Sequence, residues 1–188
     1  MKDALINRRE FLRNLGVIGA GALLSMSPWL SVFSEVVETS SEKCHLAIIG
    51  TGSKGRFLMS FLLQNPKVEI VALCDIYQPS MEKALNLVRE AKVYTDYRKV
   101  LENKTVDAVL VATPLNLHCQ IVLDAFDAGK HVFCEKSIGF TMEECFRIYK
   151  KHISTGKVFF TGQQRLFDPR YIKAMEMIHA GTFGEINA

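Results

Sequence analysis

The sequence is poor in the features that mark stapled, fibrous or nucleic-acid-binding chains. Its five cysteines stand at positions 44, 74, 119, 134 and 145. The count is odd and no Cys-x-x-Cys occurs, which argues against a disulfide framework and against a metal site. Cys74 and Cys134 fall inside apolar, strand-like runs, where cysteine acts as a small buried hydrophobe. The five prolines are scattered singly and 48% of residues are hydrophobic, so disorder of the low-hydrophobicity kind is excluded. No run of five or six like charges occurs. The net charge of +3 owes part of its excess to the first few residues, and no nucleic-acid partner is implied.

Residues 1–34 differ from the remainder: a short basic start with Arg8 and Arg9 precedes an uncharged stretch, 15–34, rich in Gly, Ala, Leu and Ser. That is the make-up of a targeting segment. Asn7-Arg8-Arg9-Glu10-Phe11-Leu12-Arg13 resembles the bacterial twin-arginine export signal, departing from it at Asn7, and no clean A-x-A cleavage site follows. The expected location is therefore periplasmic, or otherwise exported by the twin-arginine route. The alternative is anchorage by an uncleaved leader, since a stretch of about 20 residues can just span a bilayer. No stable membrane partner is expected beyond export.

From His45 onward short β-rich runs alternate with helical patterns, the signature of βαβ units and a parallel sheet. Strands are expected at 45–49, 68–74, 92–94, 106–112, 131–134 and 158–161. Helices are expected at 53–64, 79–90, 116–128, 141–155 and 169–180. Phe57, Leu58, Phe61 and Leu62 show helical spacing, the run 68–74 is apolar enough for a strand covered on both faces, and Thr141 with Glu144 reads as a capping box. The predicted fold is α/β: a doubly wound, mostly parallel Rossmann sheet with helices on both faces. It comprises a cofactor domain at 43–162 followed by a linker helix and the start of a further domain at 163–188.

Gly50-Thr51-Gly52-Ser53-Lys54-Gly55 is a G-x-G-x-x-G placed directly after a strand and opening a helix, the context a dinucleotide-binding turn requires. The first glycine permits the turn, the second lets a pyrophosphate approach the backbone, and the third lets helix and strand pack closely. The helix start offers N–H groups and a positive dipole end to phosphates. Arg56-Phe57 stands where a Walker loop would need Lys-Ser/Thr. Asp75 ends the second strand, where a carboxylate accepts adenosine ribose hydroxyls and repels a 2′-phosphate, favouring NAD over NADP. Its other reading is an Asp capping the following turn. An S-adenosylmethionine enzyme could carry the same two signals.

Val111-Ala112-Thr113-Pro114-Leu115-Asn116-Leu117-His118 and Gly129-Lys130-His131-Val132-Phe133-Cys134-Glu135-Lys136 resemble two hallmark stretches of the Gfo/Idh/MocA oxidoreductases. The resemblance extends through Tyr94-Thr95-Asp96-Tyr97 to Gly184-Glu185-Ile186. It implies that Gly50, Gly52, Ser53, Lys54, Gly55, Asp75, Thr113, Pro114, Asn116, His118 and Glu135 hold NAD. It further implies that Lys136 contacts the substrate hydroxyl as the catalytic residue, where a cation favours a developing alkoxide, and that Gln164 and Arg165, with Gln163 and Tyr171 near them, enter the substrate cleft. His118 could equally pack beneath its loop, Lys136 could sit on a solvated turn, and Arg165 could be a solvated loop charge. Ser137 stands where the family usually has Pro, which would fix the backbone.

By this resemblance the chain is the cofactor half of an NAD(P)-dependent dehydrogenase acting on a sugar, sugar derivative or cyclitol. It is truncated before its second α/β domain, and is therefore poorly active or inactive alone, with a homo-oligomer possible in full-length form. Two alternatives stand beside it: an NAD-dependent glycosidase using transient oxidation, and a non-catalytic nucleotide or sugar sensor. The Glu135-Lys136 pair favours the dehydrogenase.

Overall fold

The structure is a computed structural model that describes residues 43–185. The expected leader at 1–34 and Ile186 lie outside the described residues. In chain order the elements are β1 (Cys44–Ile49), α1 (Ser53–Leu62), β2 (Val68–Cys74), α2 (Gln78–Leu85), β3 (Lys92–Tyr94), α3 (Tyr97–Leu101) and β4 (Ala108–Val111). A 3-10 turn (Leu115–Leu117) then leads into α4 (His118–Asp127), followed by β5 (His131–Cys134), α5 (Met142–Thr155), β6 (Phe159–Thr161), a second 3-10 turn (Gln164–Phe167) and α6 (Pro169–His179).

The strands form one six-stranded sheet in the order β3-β2-β1-β4-β5-β6, and every neighbouring pair is parallel. This is the doubly wound arrangement: strand order reverses beside β1, so the crevice between β1 and β4 opens at their carboxyl ends. Alternation along the strands supplies both layers. Leu46 and Ile48 of β1 pack with Leu58, Met59 and Leu62 of α1 and Met81 of α2 on one face. Ala47 and Ile49 pack with Val100 of α3, Ile121, Val122 and Ala125 of α4 and Ile148 of α5 on the other. Each fully buried aliphatic side chain contributes about 1.5–3 kcal/mol, and the central strand β4 is buried at every residue.

Register on β2 carries one irregularity: Leu46 lies opposite Ile70 but Ala47 lies opposite Ala72. The extra residue, Val71, lets Ile70 and Leu73 both face the α1 layer, since a bulge resets the two-residue alternation.

Several boundaries differ from the sequence pattern. α2 stops at Leu85 with Asn86 at its C-cap instead of running to 90. Val88 still packs against the α1 layer from the turn beyond, and so preserved a helical spacing the backbone had already left. The helix expected from 116 begins as a 3-10 turn and becomes α-helical at His118. The strands expected at 106–112 and 158–161 are shorter. α3, whose N-cap Asp96 accepts a hydrogen bond from Arg98 N–H, had no counterpart in the pattern because five residues are too few for a 3.6-residue period to register. No residue of α6 is buried. Among the described residues no helix is long and apolar enough to cross a membrane.

Candidate functional site

The glycine turn lies between β1 and α1. Gly50 has φ +95°, and a Cβ there would come within 2.5 Å of the Ala112 carbonyl oxygen, so only glycine lets β1 and β4 run this close. A Cβ on Gly55 would sit 2.0 Å from the Gly50 carbonyl oxygen, which makes Gly55 the point where α1 is drawn down onto the turn. Gly52 differs, because a Cβ there would meet nothing within 4 Å. The open side of the turn is thus at its middle glycine. α1 starts at Ser53 with no side-chain cap and no acidic residue in its first turn, leaving its first N–H groups and dipole end to an anion.

Asp75 is bound into this turn. Its Oδ2 accepts from Thr51 N–H at 2.7 Å and from the Thr51 hydroxyl at 3.0 Å, and its Oδ1 accepts from Tyr77 N–H at 2.9 Å. Thr51 is completely buried, and Arg56 Nη1 donates to its carbonyl oxygen at 2.6 Å. Sequence reasoning passed over Thr51 and Arg56. A hydroxyl at the second motif position, with a carboxylate ending β2, is the signal that could have found them.

At the ends of β4 and β5 the remaining residues gather. The Thr113 hydroxyl is buried and without a hydrogen-bond partner among the described residues. Pro114 and Asn116 are exposed at the rim. His118 is 2% exposed, with Nε2 at 2.9 Å from the Thr113 carbonyl oxygen and Nδ1 at 2.6 Å from that of Ser137. Glu135 is buried. Its Oε1 lies 3.2 Å from Lys54 Nζ, its Oε2 accepts from Lys136 N–H at 3.2 Å, and Gly162 presses against it so tightly that a Cβ would fall 2.8 Å from the carboxyl carbon. Lys54 therefore reaches from α1 to Glu135, the residue just past β5. The exposed Lys136 ammonium pairs with no carboxylate among the described residues, and a cis peptide bond joins Lys136 to Ser137.

A cavity of about 240 Å³, lined in part by Lys54, Phe57, Phe133, Glu135, Phe160 and Gln164, lies on the α1 side of these groups. Arg165 does not line it; its Nη1 donates to the Tyr171 hydroxyl at 3.0 Å, and both residues are exposed. Burial raises the thiols of Cys134 and Cys74, the latter to about 12 with Asp75 adding to the effect. They are core residues held as neutral thiols. Among the described residues no three His, Cys, Asp or Glu side chains gather as a metal would need.

These residues fit a dinucleotide. The uncapped helix start and the open face of Gly52 suit a pyrophosphate, and the orphaned Thr113 hydroxyl is a buried group that a ligand could satisfy. Sheet order and turn together define a Rossmann-type dinucleotide-binding domain. Residues 44–163 match the family described as "Oxidoreductase family, NAD-binding Rossmann fold", and the chain belongs to this family, Gfo/Idh/MocA.

Among its relatives, a glycosyl hydrolase family 109 protein of Stenotrophomonas maltophilia is 31% identical, the match covering 96% of this chain and 40% of the relative. An alpha-N-acetylgalactosaminidase of Shewanella oneidensis is 27% identical, covering 96% and 44%. The solved structure of myo-inositol 2-dehydrogenase from Lactobacillus plantarum superposes with a TM-score of 0.71 at 28% identity, over 77% of this chain and 43% of that one. The chain thus spans less than half the length of the proteins it matches.

Proposed function

We propose that the chain is the cofactor-holding part of an NAD-dependent enzyme that removes hydride from a carbinol carbon of a sugar, sugar derivative or cyclitol. The observation that carries this reading is the juxtaposition at the ends of β4 and β5: the unpartnered Thr113 hydroxyl on one turn and the unpaired Lys136 ammonium on the next. Bound NAD would supply the hydride acceptor. The first turn of α1 and Gly52 would hold its pyrophosphate and Asp75 its adenosine ribose, a carboxylate that disfavours the 2′-phosphate of NADP. Lys136 would orient the substrate oxygen and stabilise its charge as the C–H bond breaks.

A second reading is favoured by the relatives that match along 96% of the chain: an NAD-dependent glycosidase, in which hydride is taken from the sugar, the glycosidic bond is broken, and hydride is returned. Both readings need the same cradle and differ in the redox balance. In a protein carrying the further length its relatives have, a dehydrogenase accumulates NADH, whereas the glycosidase releases sugar with none. Lys136→Ala is expected to lower turnover by about 10²-fold or more in either. Calorimetry on the present chain tests the base of both, with NAD bound more tightly than NADP; heat with neither dinucleotide would end the proposal.

Export by the twin-arginine route is part of the proposal, carried by Arg8-Arg9-Glu10-Phe11-Leu12. Replacing Arg8 and Arg9 by Lys should hold the protein in the bacterial cytoplasm, as cell fractionation would reveal.

A further inference from the structure

The β4–β5 ladder ends before the chemistry begins. Its last paired residues are Val111 and Cys134, and the final rung is the Glu135 N–H donated to the Val111 carbonyl at 2.9 Å. Past that rung the chain splits into two turns, one carrying Thr113 and the other carrying Lys136. The sheet no longer fixes their separation. The His118 ring lies between them, with Nε2 2.9 Å from the Thr113 carbonyl oxygen and Nδ1 2.6 Å from the Ser137 carbonyl oxygen. A carbonyl only accepts, so the ring must be the donor in each contact: one bond closes with a single N–H, and both close when each nitrogen carries a proton. The ring is 2% exposed, so water does not compete for these bonds. Lys136 is consequently flanked by the ladder at Glu135 on one side and, on the other, by Ser137, whose carbonyl faces the imidazole, while its own side chain is exposed.

We propose that His118 is a positioning residue that sets the distance between the Thr113 turn and Lys136, and so shapes the nicotinamide end of the site without touching the dinucleotide. This rests on the reading above, in which those two turns flank the nicotinamide. It differs from a plain core role in one respect. A core histidine, once replaced, weakens the domain as a whole, whereas this one loosens two turns distant in sequence and leaves the adenosine end intact.

The test uses the native chain, His118→Phe, which keeps a ring but no N–H, and His118→Gln, whose amide carries two N–H donors. Amide hydrogen exchange is followed at 113–117, at 135–138 and at 50–55, and calorimetry compares NAD with ADP-ribose, which lacks the nicotinamide. For His118→Phe, exchange at 113–117 and 135–138 should rise together with 50–55 unchanged. NAD affinity should fall about tenfold, equal to about 1.4 kcal/mol, while ADP-ribose affinity holds, and His118→Gln should recover most of the loss. Exchange rising at one turn alone or at neither, or equal losses of NAD and ADP-ribose affinity, would overturn the proposal.

Should His118→Phe fail to fold, His118→Gln is compared with His118→Asn, whose shorter amide cannot span both carbonyls. A Gln variant no closer to native than Asn in its ratio of NAD to ADP-ribose affinity overturns the clamp. A native chain that binds neither ligand removes the dinucleotide reading, while the exchange arm still decides whether His118 couples the turns.

Discussion

Gly162 shows how tightly single residues are set around the site. It follows β6, its N–H donates to the Cys134 carbonyl at 2.9 Å, and a methyl group there would meet both Glu135 carboxylate oxygens at 2.8–2.9 Å. The neighbour is a side-chain end, but a buried one, tied to Lys54 and to Lys136 N–H. Gly162→Ala is therefore expected to push Glu135 out of its pairing and to cost about 1–3 kcal/mol, as overpacking does; the denaturant midpoint reads the loss. An unchanged midpoint would mean that Glu135 has room to turn.

His131, at the start of β5, gives a pH prediction. Its Nδ1 accepts from Val158 N–H at 3.0 Å, which requires that nitrogen to be unprotonated, and burial, with Lys157 adding to it, lowers the ring below its ordinary 6.5. The unfolded chain then binds the proton first as pH falls, so stability should drop from about pH 6.5 down to the lowered folded value and change no further from this group. Thermal unfolding between neutral and mildly acidic pH checks this, with His131→Asn expected to flatten the slope. Of the site residues, Gly50, Gly55, Glu135 and Lys136 could be picked out in the sequence by their motifs. The Lys54–Glu135 pair and the two carbonyls on His118 could not, because each joins segments that only the folded sheet brings together.

Among the elements, α5 was the most legible. Thr141 accepts from Glu144 N–H at 3.2 Å and the Glu144 carboxylate accepts from Thr141 N–H at 3.3 Å, the reciprocal box that the sequence announces. Glu144 Oε2 also accepts from Phe140 N–H at 2.6 Å, so the box anchors the turn leading from the Lys136 segment into the helix. Thr141→Ala should cost about 1 kcal/mol. Because both side chains serve one motif, the double change with Glu144→Ala should cost less than the two losses added. Chemical denaturation of the three variants measures the shortfall, and strict additivity would show the two bonds to be independent. The strands 68–74 and 131–134 were legible to the residue because parallel strands covered on both faces are nearly continuous apolar runs, whereas β3 at 92–94 is a largely exposed edge strand whose bounds agree without that signal. α2 was over-extended because the half-buried Val88 packs against the α1 layer from outside the helix, and α3 escaped notice because its start rests on one Asp96 cap and not on a period.

At the scale of the whole domain, the adenosine end proposed above and the stability of the sheet would share one carboxylate. Asp75 closes the end of β2 and also takes three donors from the protein: Thr51 N–H, the Thr51 hydroxyl and Tyr77 N–H. The two sequence readings of this residue, turn-capping acid and ribose acceptor, are therefore not exclusive, since a carboxylate has about four acceptor sites. Asp75→Ala strips partners from a completely buried Thr51 and should cost about 1–3 kcal/mol before any ligand is added. NAD adds a separable term. A ligand that binds only the folded state stabilises it by RT ln(1 + [L]/Kd), about 2.7 kcal/mol at a hundredfold excess over Kd. The native domain should gain that amount in denaturant unfolding with NAD present. Asp75→Ala should gain measurably less at the same concentration, because its Kd has risen. Asp75→Asn should fall between the two, keeping an amide oxygen that can still accept from Thr51 while losing the charge. If Asp75→Ala loses stability yet gains as much from NAD as the native domain, the carboxylate serves the turn alone and the ribose is held elsewhere. If it loses the NAD increment with no loss of intrinsic stability, the three protein hydrogen bonds contribute nothing net, and the turn stands on its glycines.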